Sequence, residues 1–177
     1  MVGTSSSELE QHDASNMLGG MKKRIILFPT DGSPHSERAF SWYVENLKMD
    51  NDVVKFINVI EPVYTAPAID MNTESPPVFS MTRTIAECIE SGKRLCQQCI
   101  EKAKAVNVSS QAFIHVDNRP GPALIKAIAE HHADVVVMGN RGVGVVRRTF
   151  LGSVSDYVLH HAHIAVVIVP PENRDAN

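Results

Sequence analysis

Residues 134–153 read DVVVMGNRGVGVVRRTFLGS, a short apolar run followed at once by a glycine-rich and arginine-rich segment. The run is almost continuously apolar, as is typical of a parallel β-strand buried on both faces. The segment after it, residues 139–153, contains four glycines, three arginines and no acidic residue. A helical pattern follows from Ser153. A strand, a glycine-rich turn and a helix in this order predict a layered α/β fold.

Similar short apolar runs recur along the chain and alternate with helical patterns. The predicted strands are Arg24–Pro29, Val53–Ile60, Gln111–Val116, Asp134–Met138 and Ala165–Val169. The predicted helices begin after a Ser33 cap, at about residue 82, after Gly121-Pro122 and at Ser153. This alternation predicts a single doubly wound α/β domain with a five-stranded parallel sheet and helices on both faces.

Composition and charge narrow the function classes. The 177 residues are 44 % hydrophobic and 21 % charged, which is typical of one folded domain. Residues 1–20 are polar and carry three acidic residues and no basic one, so residues 21–177 hold 17 of each sign. We expect residues 1–20 to form a flexible tail and residues 21–177 one domain. A neutral body disfavours nucleic acid as a partner, and no apolar run reaches the ~20 residues of a membrane span.

The glycine-rich segment has the chemistry of a phosphate-binding loop. Glycines allow successive main-chain N–H groups to converge on one anion, and a helix start adds unpaired N–H groups and a positive dipole end. Ser153 is expected to cap that helix, with Asp156 completing a capping box. The Walker pattern is absent, and a Rossmann glycine motif would have to follow the first strand. A capped surface loop with scattered arginines is the alternative interpretation.

For other polar residues, a structural explanation stands beside the functional one. Asp31 begins an Asp-Gly turn after the first strand, where it either contacts a ligand or accepts a bond from its own backbone. The cysteines Cys88, Cys96 and Cys99 share a helical stripe with apolar residues, which indicates core packing rather than metal or redox chemistry. The remaining clusters are histidines at predicted helix ends, where the helix dipole explains them: His131, His132, His160, His161 and His163. We therefore predict no metal ligands and no catalytic residues.

The spacing Gly139-x2-Gly142-x9-Gly152-Ser153 resembles the ATP-binding signature of the universal stress protein family. The resemblance extends over about residues 22–170 and includes four flanking segments: residues 29–33 (PTDGS), 58–61 (NVIE), 121–122 (GP) and 133–139 (ADVVVMG). It implies a flavodoxin-like sheet in the order 3-2-1-4-5. It also implies a homodimer formed through the last strand, at Val166, Val167, Ile168 and Val169.

The resemblance further implies a binding site for ATP, with Mg²⁺ carried by the phosphates. Asp31 and Val59 would lie against the adenosine, and the glycine signature would hold the triphosphate. The role of Arg141 is instead inferred from its charge. The full predicted set is Thr30, Asp31, Val59, Met138, Gly139, Arg141, Gly142, Gly152, Ser153, Val154 and Ser155.

Three functions remain open at this point. The first is a cytoplasmic ATP-binding regulatory protein of the stress response, with slow hydrolysis at most, since no general base is visible beside the glycine-rich segment. The second is a dimeric interaction protein that needs no nucleotide, and the third is an adenine-nucleotide hydrolase or transferase. Residues 61–80 include four prolines and predict a long loop that alters access to the nucleotide or the dimer surface.

Overall fold

A computed structural model describes residues 22–62, 77–140 and 151–171, with the side chains of residues 77–84 excepted. Residues 1–20, predicted as a tail, lie outside these ranges. Nine elements follow one another along the chain: β1 (Arg24–Pro29), α1 (Pro34–Asn46), β2 (Asp52–Ile60), α2 (Pro77–Ala105), β3 (Ser109–Val116), α3 (Pro120–Glu130), β4 (Val135–Gly139), α4 (Ser153–His161) and β5 (Ala165–Val169).

The five strands form one parallel sheet in the order β3-β2-β1-β4-β5. The predicted fold class and strand order are therefore confirmed. In register, Ile26 of β1 lies between Val54 of β2 and Val135 of β4. The chain winds outward from β1 in both directions, so β1 and β4 form the switch point at which such sheets bind ligands.

The sheet is covered on both faces, and each face has its own core. Alternation along β1 sends Ile26 and Phe28 to one face and Leu27 to the other. The first face packs under α1 and α2, where Tyr43 is fully buried. The second packs under α3 and α4, where Leu124 contributes to the core. Both core faces are apolar, so the strands read as continuous hydrophobic runs in the sequence.

Two helix starts show how local sequence acts. Ser33 caps α1 as predicted: its Oγ accepts a hydrogen bond from the Ser36 N–H at 3.4 Å, and Pro34 occupies the first turn. Helix α2 begins at Pro77 rather than at about residue 82. The predicted 61–80 loop is therefore wrong for residues 77–80. A proline at a helix start loses no hydrogen bond, so this one begins the helix instead of extending the loop.

Two of the three cysteines, Cys96 and Cys99, occupy the core as predicted. Cys96 and Cys99 on α2 are each 8 % exposed, Cys88 is half-buried, and all three are free thiols. Burial raises the pKa of the Cys96 and Cys99 thiols, so both stay protonated at neutral pH. Among the described residues, no helix has both the length and the apolar content to cross a bilayer.

A buried ionic network closes the end of the domain where the strands begin. Asp52 accepts hydrogen bonds from Arg24 Nε at 2.7 Å, from Tyr43 Oη at 2.7 Å and from the Met49 N–H at 2.9 Å. Arg24 Nη2 also donates to the Leu47 carbonyl at 2.8 Å. The network joins β1, β2 and the end of α1, so it fixes three elements at the end opposite the switch point.

Candidate functional site: a cleft at the carboxyl ends of the strands

A cleft of about 430 Å³ opens where β1, β2 and β4 end and where α1, α3 and α4 begin. Its size is in the range of small-ligand sites. Nine of the eleven residues predicted to bind ATP line it: Thr30, Asp31, Val59, Met138, Gly139, Gly152, Ser153, Val154 and Ser155. The other two, Arg141 and Gly142, lie outside the described residues. Residues far apart in sequence therefore meet at one edge of the sheet, although this arrangement does not assign them a ligand.

One wall of the cleft is apolar. Ile57 and Val59 come from the end of β2, Leu124 from α3, and Met138 from the end of β4. Ile57 and Met138 belong to the core on the α3 and α4 face, so this wall is continuous with well-packed structure. A rigid apolar wall of this kind accepts a flat ring.

A second part of the lining is the start of α4, where the helix cap differs from the prediction. Gly152, not Ser153, is the N-cap residue, because an extended Gly152 (φ −64°, ψ 152°) precedes a Ser153 that is already helical. The Asp156 N–H and the Ser155 Oγ both donate to the Gly152 carbonyl, at 2.9 and 3.1 Å. The predicted cap and capping box at Ser153 are thus wrong.

The N–H groups of residues 153–155 precede the first intrahelical bond, as in every helix start. These donors and the positive dipole end lie at the cleft wall that Ser153, Val154 and Ser155 form. The wall therefore has the electrostatics of an anion site even without a side-chain cap.

Asp31 has a structural role at the mouth of the cleft. Its Oδ1 accepts a hydrogen bond from the Ser33 N–H at 3.0 Å, across a Gly32 with φ +73°. This is the turn contact that the sequence offered as the alternative to ligand binding. The carboxylate is exposed and lines the cleft, so it places negative charge beside any ligand bound there.

Two glycines of the signature have different surroundings. A Cβ on Gly139 would overlap the main-chain carbonyl of His35 in α1. Gly139 therefore permits close packing of β4 against α1, whatever it contributes to ligand binding. Among the described residues, the one atom that a Cβ on Gly152 would meet is Ser155 Oγ, at 3.4 Å, which is ordinary contact.

Sequence reasoning missed several residues of the cleft. Glu61 follows β2 directly and His35 lies in the first turn of α1. The position of Glu61 after a strand was a usable signal, since carboxyl ends of parallel strands share one edge. The sequence showed no general base beside the glycine-rich segment, yet the fold brings Glu61 and His35 into the cleft from other segments.

Arg38 of α1 joins the site to the edge of the sheet. Its Nη2 donates to the Asn140 carbonyl at 3.0 Å and to the Val169 carbonyl at 3.5 Å. The Asn140 N–H also donates to the Val169 carbonyl, at 2.9 Å. Asn140, the second residue of the glycine-rich segment, is therefore fixed to Val169, the last residue of β5.

The edge strand β5 contains the four residues predicted to form a dimer. Val166, Val167 and Ile168 are partly buried against the two cores. Val169 is only 3 % exposed, so its side chain belongs to the core of its own protomer. The Val169 carbonyl accepts a hydrogen bond from the Asn140 N–H, so the peptide group of Val169 faces β4. Alternation along the strand then turns the peptide groups of Val166 and Ile168 to the open edge.

Comparison with known proteins gives a consistent result. The model of the universal stress protein family matches residues 23–170. A universal stress protein of Mycobacterium tuberculosis is 31 % identical over 159 residues, which are 85 % of this chain and 49 % of that protein. The chain thus spans about half the length of this relative. The match agrees with the resemblance seen in the glycine spacing.

Solved structures share the fold. A universal stress protein family protein from Arabidopsis thaliana with AMP bound has a TM-score of 0.62 at 17 % identity, covering 87 % of this chain and 95 % of that one. A universal stress protein in complex with cAMP has a TM-score of 0.55 at 22 % identity, covering 82 % of this chain and 96 % of that one.

Proposed function

The chain belongs to the universal stress protein family, and from that premise we propose that its cleft binds ATP and that the bound nucleotide regulates partner binding. The observation that carries the proposal is the convergence of an apolar wall and a helix start in one cleft of about 430 Å³. An adenine nucleotide combines a flat base with a polyanionic tail, so it matches both walls. The AMP and cAMP complexes of two structural neighbours support an adenine nucleotide as the ligand class.

The adenosine would occupy the apolar wall. Val59 and Met138 offer contact surface to the base, and Leu124 extends that surface from α3. Thr30 is held in place by two bonds: its N–H donates to the Ile57 carbonyl at 2.9 Å, and its carbonyl accepts from Asn58 Nδ2 at 2.8 Å. A fixed main chain at this position suits recognition of the polar edge of a base or a ribose. Asp31 would accept from a ribose hydroxyl.

The phosphates would lie at the start of α4. Main-chain N–H groups of Ser153, Val154 and Ser155 supply donors, Gly152 adds no side chain to the approach, and Gly139 would contribute its main chain. Arg141 and Gly142 would complete this end from the glycine-rich segment. Mg²⁺ would be held chiefly by phosphate oxygens, since this ion keeps several waters and few protein ligands.

A regulatory role fits this site better than fast turnover. The carboxylates of Asp31 and Glu61 and the imidazole of His35 line the cleft. Asp31 already accepts a bond from its own turn, and His35 Nδ1 lies 3.2 Å from Arg38 Nη1. We therefore expect hydrolysis to be slow. The Arg38 contacts connect the glycine-rich segment to β5. A homodimer would form through β5, so nucleotide binding would affect the dimer edge.

The deciding experiment is calorimetric titration of the protein with ATP and Mg²⁺, together with phosphate release. We expect saturable binding and little phosphate release. Gly152→Val adds bulk to the cleft wall, where Ser155 Oγ at 3.4 Å is the one near atom among the described residues, so it should lower the affinity at least tenfold. Ala129→Val is the matched control, because Ala129 is exposed on α3 and does not line the cleft.

Two results would overturn the proposal. If the wild-type protein shows no saturable binding, the cleft has another ligand or none. Unchanged affinity in Gly152→Val would mean that the start of α4 does not contact the nucleotide. Rapid phosphate release would instead favour the hydrolase, with Glu61 and His35 as the first residues to substitute.

A further inference from the structure

Three potential metal ligands meet beside the edge strand β3. His115 comes from β3, Glu130 is the last residue of α3, and His131 follows it. One ligand atom from each lies within 4.8 Å of the other two. Sequence analysis did not predict this cluster, because His115 lies 16 positions from His131 and the spacing matches no helical metal motif.

Packing explains why the three residues meet. Phe113 and His115 share one face of β3, the face that α3 covers. The Phe113 ring lies 4.2 Å from the His131 ring, between centroids, and the His115 ring lies edge-on to it at 6.3 Å. The end of α3 is thereby fixed over β3 with two imidazoles side by side.

One of these imidazoles has an unusual environment. Nε2 of His131 is buried and has no hydrogen-bond partner among the residues that the structure describes. Buried polar atoms are nearly always satisfied, so a ring nitrogen without a partner, on a residue of this cluster, requires an explanation. A metal ion bound to the cluster would supply one.

The charges around the cluster set the strength of such a site. The positive charge of Lys55 lies close enough to His131 to act on its imidazole. Lys55 Nζ also donates to the His131 carbonyl at 3.4 Å, and Lys126 lies 3.6 Å from Glu130. His132 is the remaining ionisable neighbour. Two nearby ammonium groups oppose a cation, so the affinity should be moderate.

We propose that His115, Glu130 and His131 bind a divalent transition ion of the Zn²⁺ type through two imidazoles and one carboxylate. Three protein ligands leave a fourth position for water, the arrangement of open zinc sites. Zn–N bonds of about 2.0 Å bring tetrahedral ligand atoms to about 3.3 Å from one another. The exposed Glu130 side chain has the freedom to close the remaining gap. The site lies one strand outward from the cleft, since His115 pairs with Val59.

The test is calorimetric titration of the nucleotide-free protein with Zn²⁺, and with Co²⁺ while its visible spectrum is recorded. We expect one saturable site and the intense visible bands of low-symmetry Co²⁺. Glu130→Gln and His115→Gln should each lower the Zn²⁺ affinity about tenfold or more. Loss of a residue that only supports a ligand costs roughly 10- to 100-fold in metal affinity, so loss of a ligand itself should cost at least as much. Glu130 is exposed, so Glu130→Gln should stay folded, and a loss of Zn²⁺ binding in this variant would report on the site itself.

The matched control is His160→Gln, an exposed histidine on α4 that belongs to a different surface. It should leave Zn²⁺ binding unchanged. Absence of saturable binding would overturn the proposal, as would affinity that survives both Glu130→Gln and His115→Gln. Gly152→Val should retain the Zn²⁺ site, so the result does not depend on whether the cleft binds ATP.

Discussion

At the scale of single residues, Gly139 and Gly152 belong to one sequence signature but are glycines for two different physical reasons. In sequence both glycines belong to the same spacing, and both were predicted to let a phosphate approach the main chain. The structure places the His35 carbonyl where a Gly139 side chain would be, whereas the described part of the chain puts nothing closer than Ser155 Oγ, at 3.4 Å, beside a Cβ on Gly152. Packing alone therefore accounts for glycine at residue 139, and the stronger case for ligand contact is at residue 152.

Substituting alanine at each position separates the two requirements. Gly139→Ala should lower the free energy of unfolding by about 3 kcal/mol, because main chain of α1 must move to admit a methyl group. Gly152→Ala should lower it by no more than about 1 kcal/mol, since its φ of −64° suits any residue and the cost is that of a poorer N-cap residue. Urea denaturation measures both values. Equal losses at the two positions would contradict the packing argument.

At the scale of elements, the sequence predicted the strands well because the central strands β1 and β4 are short apolar runs with buried middle residues. The start of α2 was missed because prolines between residues 61 and 80 suggested a loop, while Pro77 in fact begins a helix. The cap of α4 was missed for a related reason. Ser and Gly both favour cap positions, and only the main-chain angles show that Gly152 takes that place.

The edge strand β5 carries a testable consequence of the proposed dimer. Val166→Pro removes one N–H from the open edge and none from the β4 side, so it should convert a dimer into monomers while the domain stays folded. Sedimentation velocity gives the mass, and circular dichroism checks the fold. We expect this result only if the homodimer pairs through β5.

The opposite edge of the sheet provides the matched control. The Asp117 N–H donates to the Ile60 carbonyl on the β2 side, so the peptide group of Val116 faces the open edge of β3. Val116→Pro should therefore leave the oligomeric state unchanged. Dissociation by both variants, or by neither, would argue against pairing through β5.

At the scale of the whole molecule, the Arg24, Tyr43 and Asp52 network links stability to pH. Burial by itself would raise the pKa of Asp52, but the hydrogen bonds from Arg24 and Tyr43 outweigh it and hold the pKa below its ordinary value. A lowered pKa means that the unfolded chain binds this proton more readily. The stabilisation is therefore present above about pH 4, the ordinary carboxyl range, and is lost as the pH falls through the lower value in the folded state.

Asp52→Asn tests this link. At neutral pH it should lower the free energy of unfolding by about 2–3 kcal/mol, because it leaves the Arg24 guanidinium without its charged partner. Below about pH 4 the difference from wild type should shrink, since wild type loses the same interaction on protonation. Urea denaturation across the pH range measures both effects.

The exposed pair of Glu90 and Lys93 is the control for that experiment. It joins side chains 59 % and 61 % exposed at 2.6 Å, so solvent screens it and Glu90→Gln should change stability little. A constant difference between wild type and Asp52→Asn at every pH would show that Asp52 acts through packing rather than through its charge.

The sequence alone determined the layered fold, the order of its elements and most residues of the cleft, because buried strands require continuous apolar runs and parallel strands bring their carboxyl ends to one edge. Only the tertiary structure decided which groups share a small volume. How α1 and α3 pack on the sheet determines three contacts. Gly139 lies against the His35 carbonyl, Glu61 lines the cleft, and His115 lies near Glu130 and His131. Such contacts join residues that are distant in the chain, so local sequence patterns do not predict them.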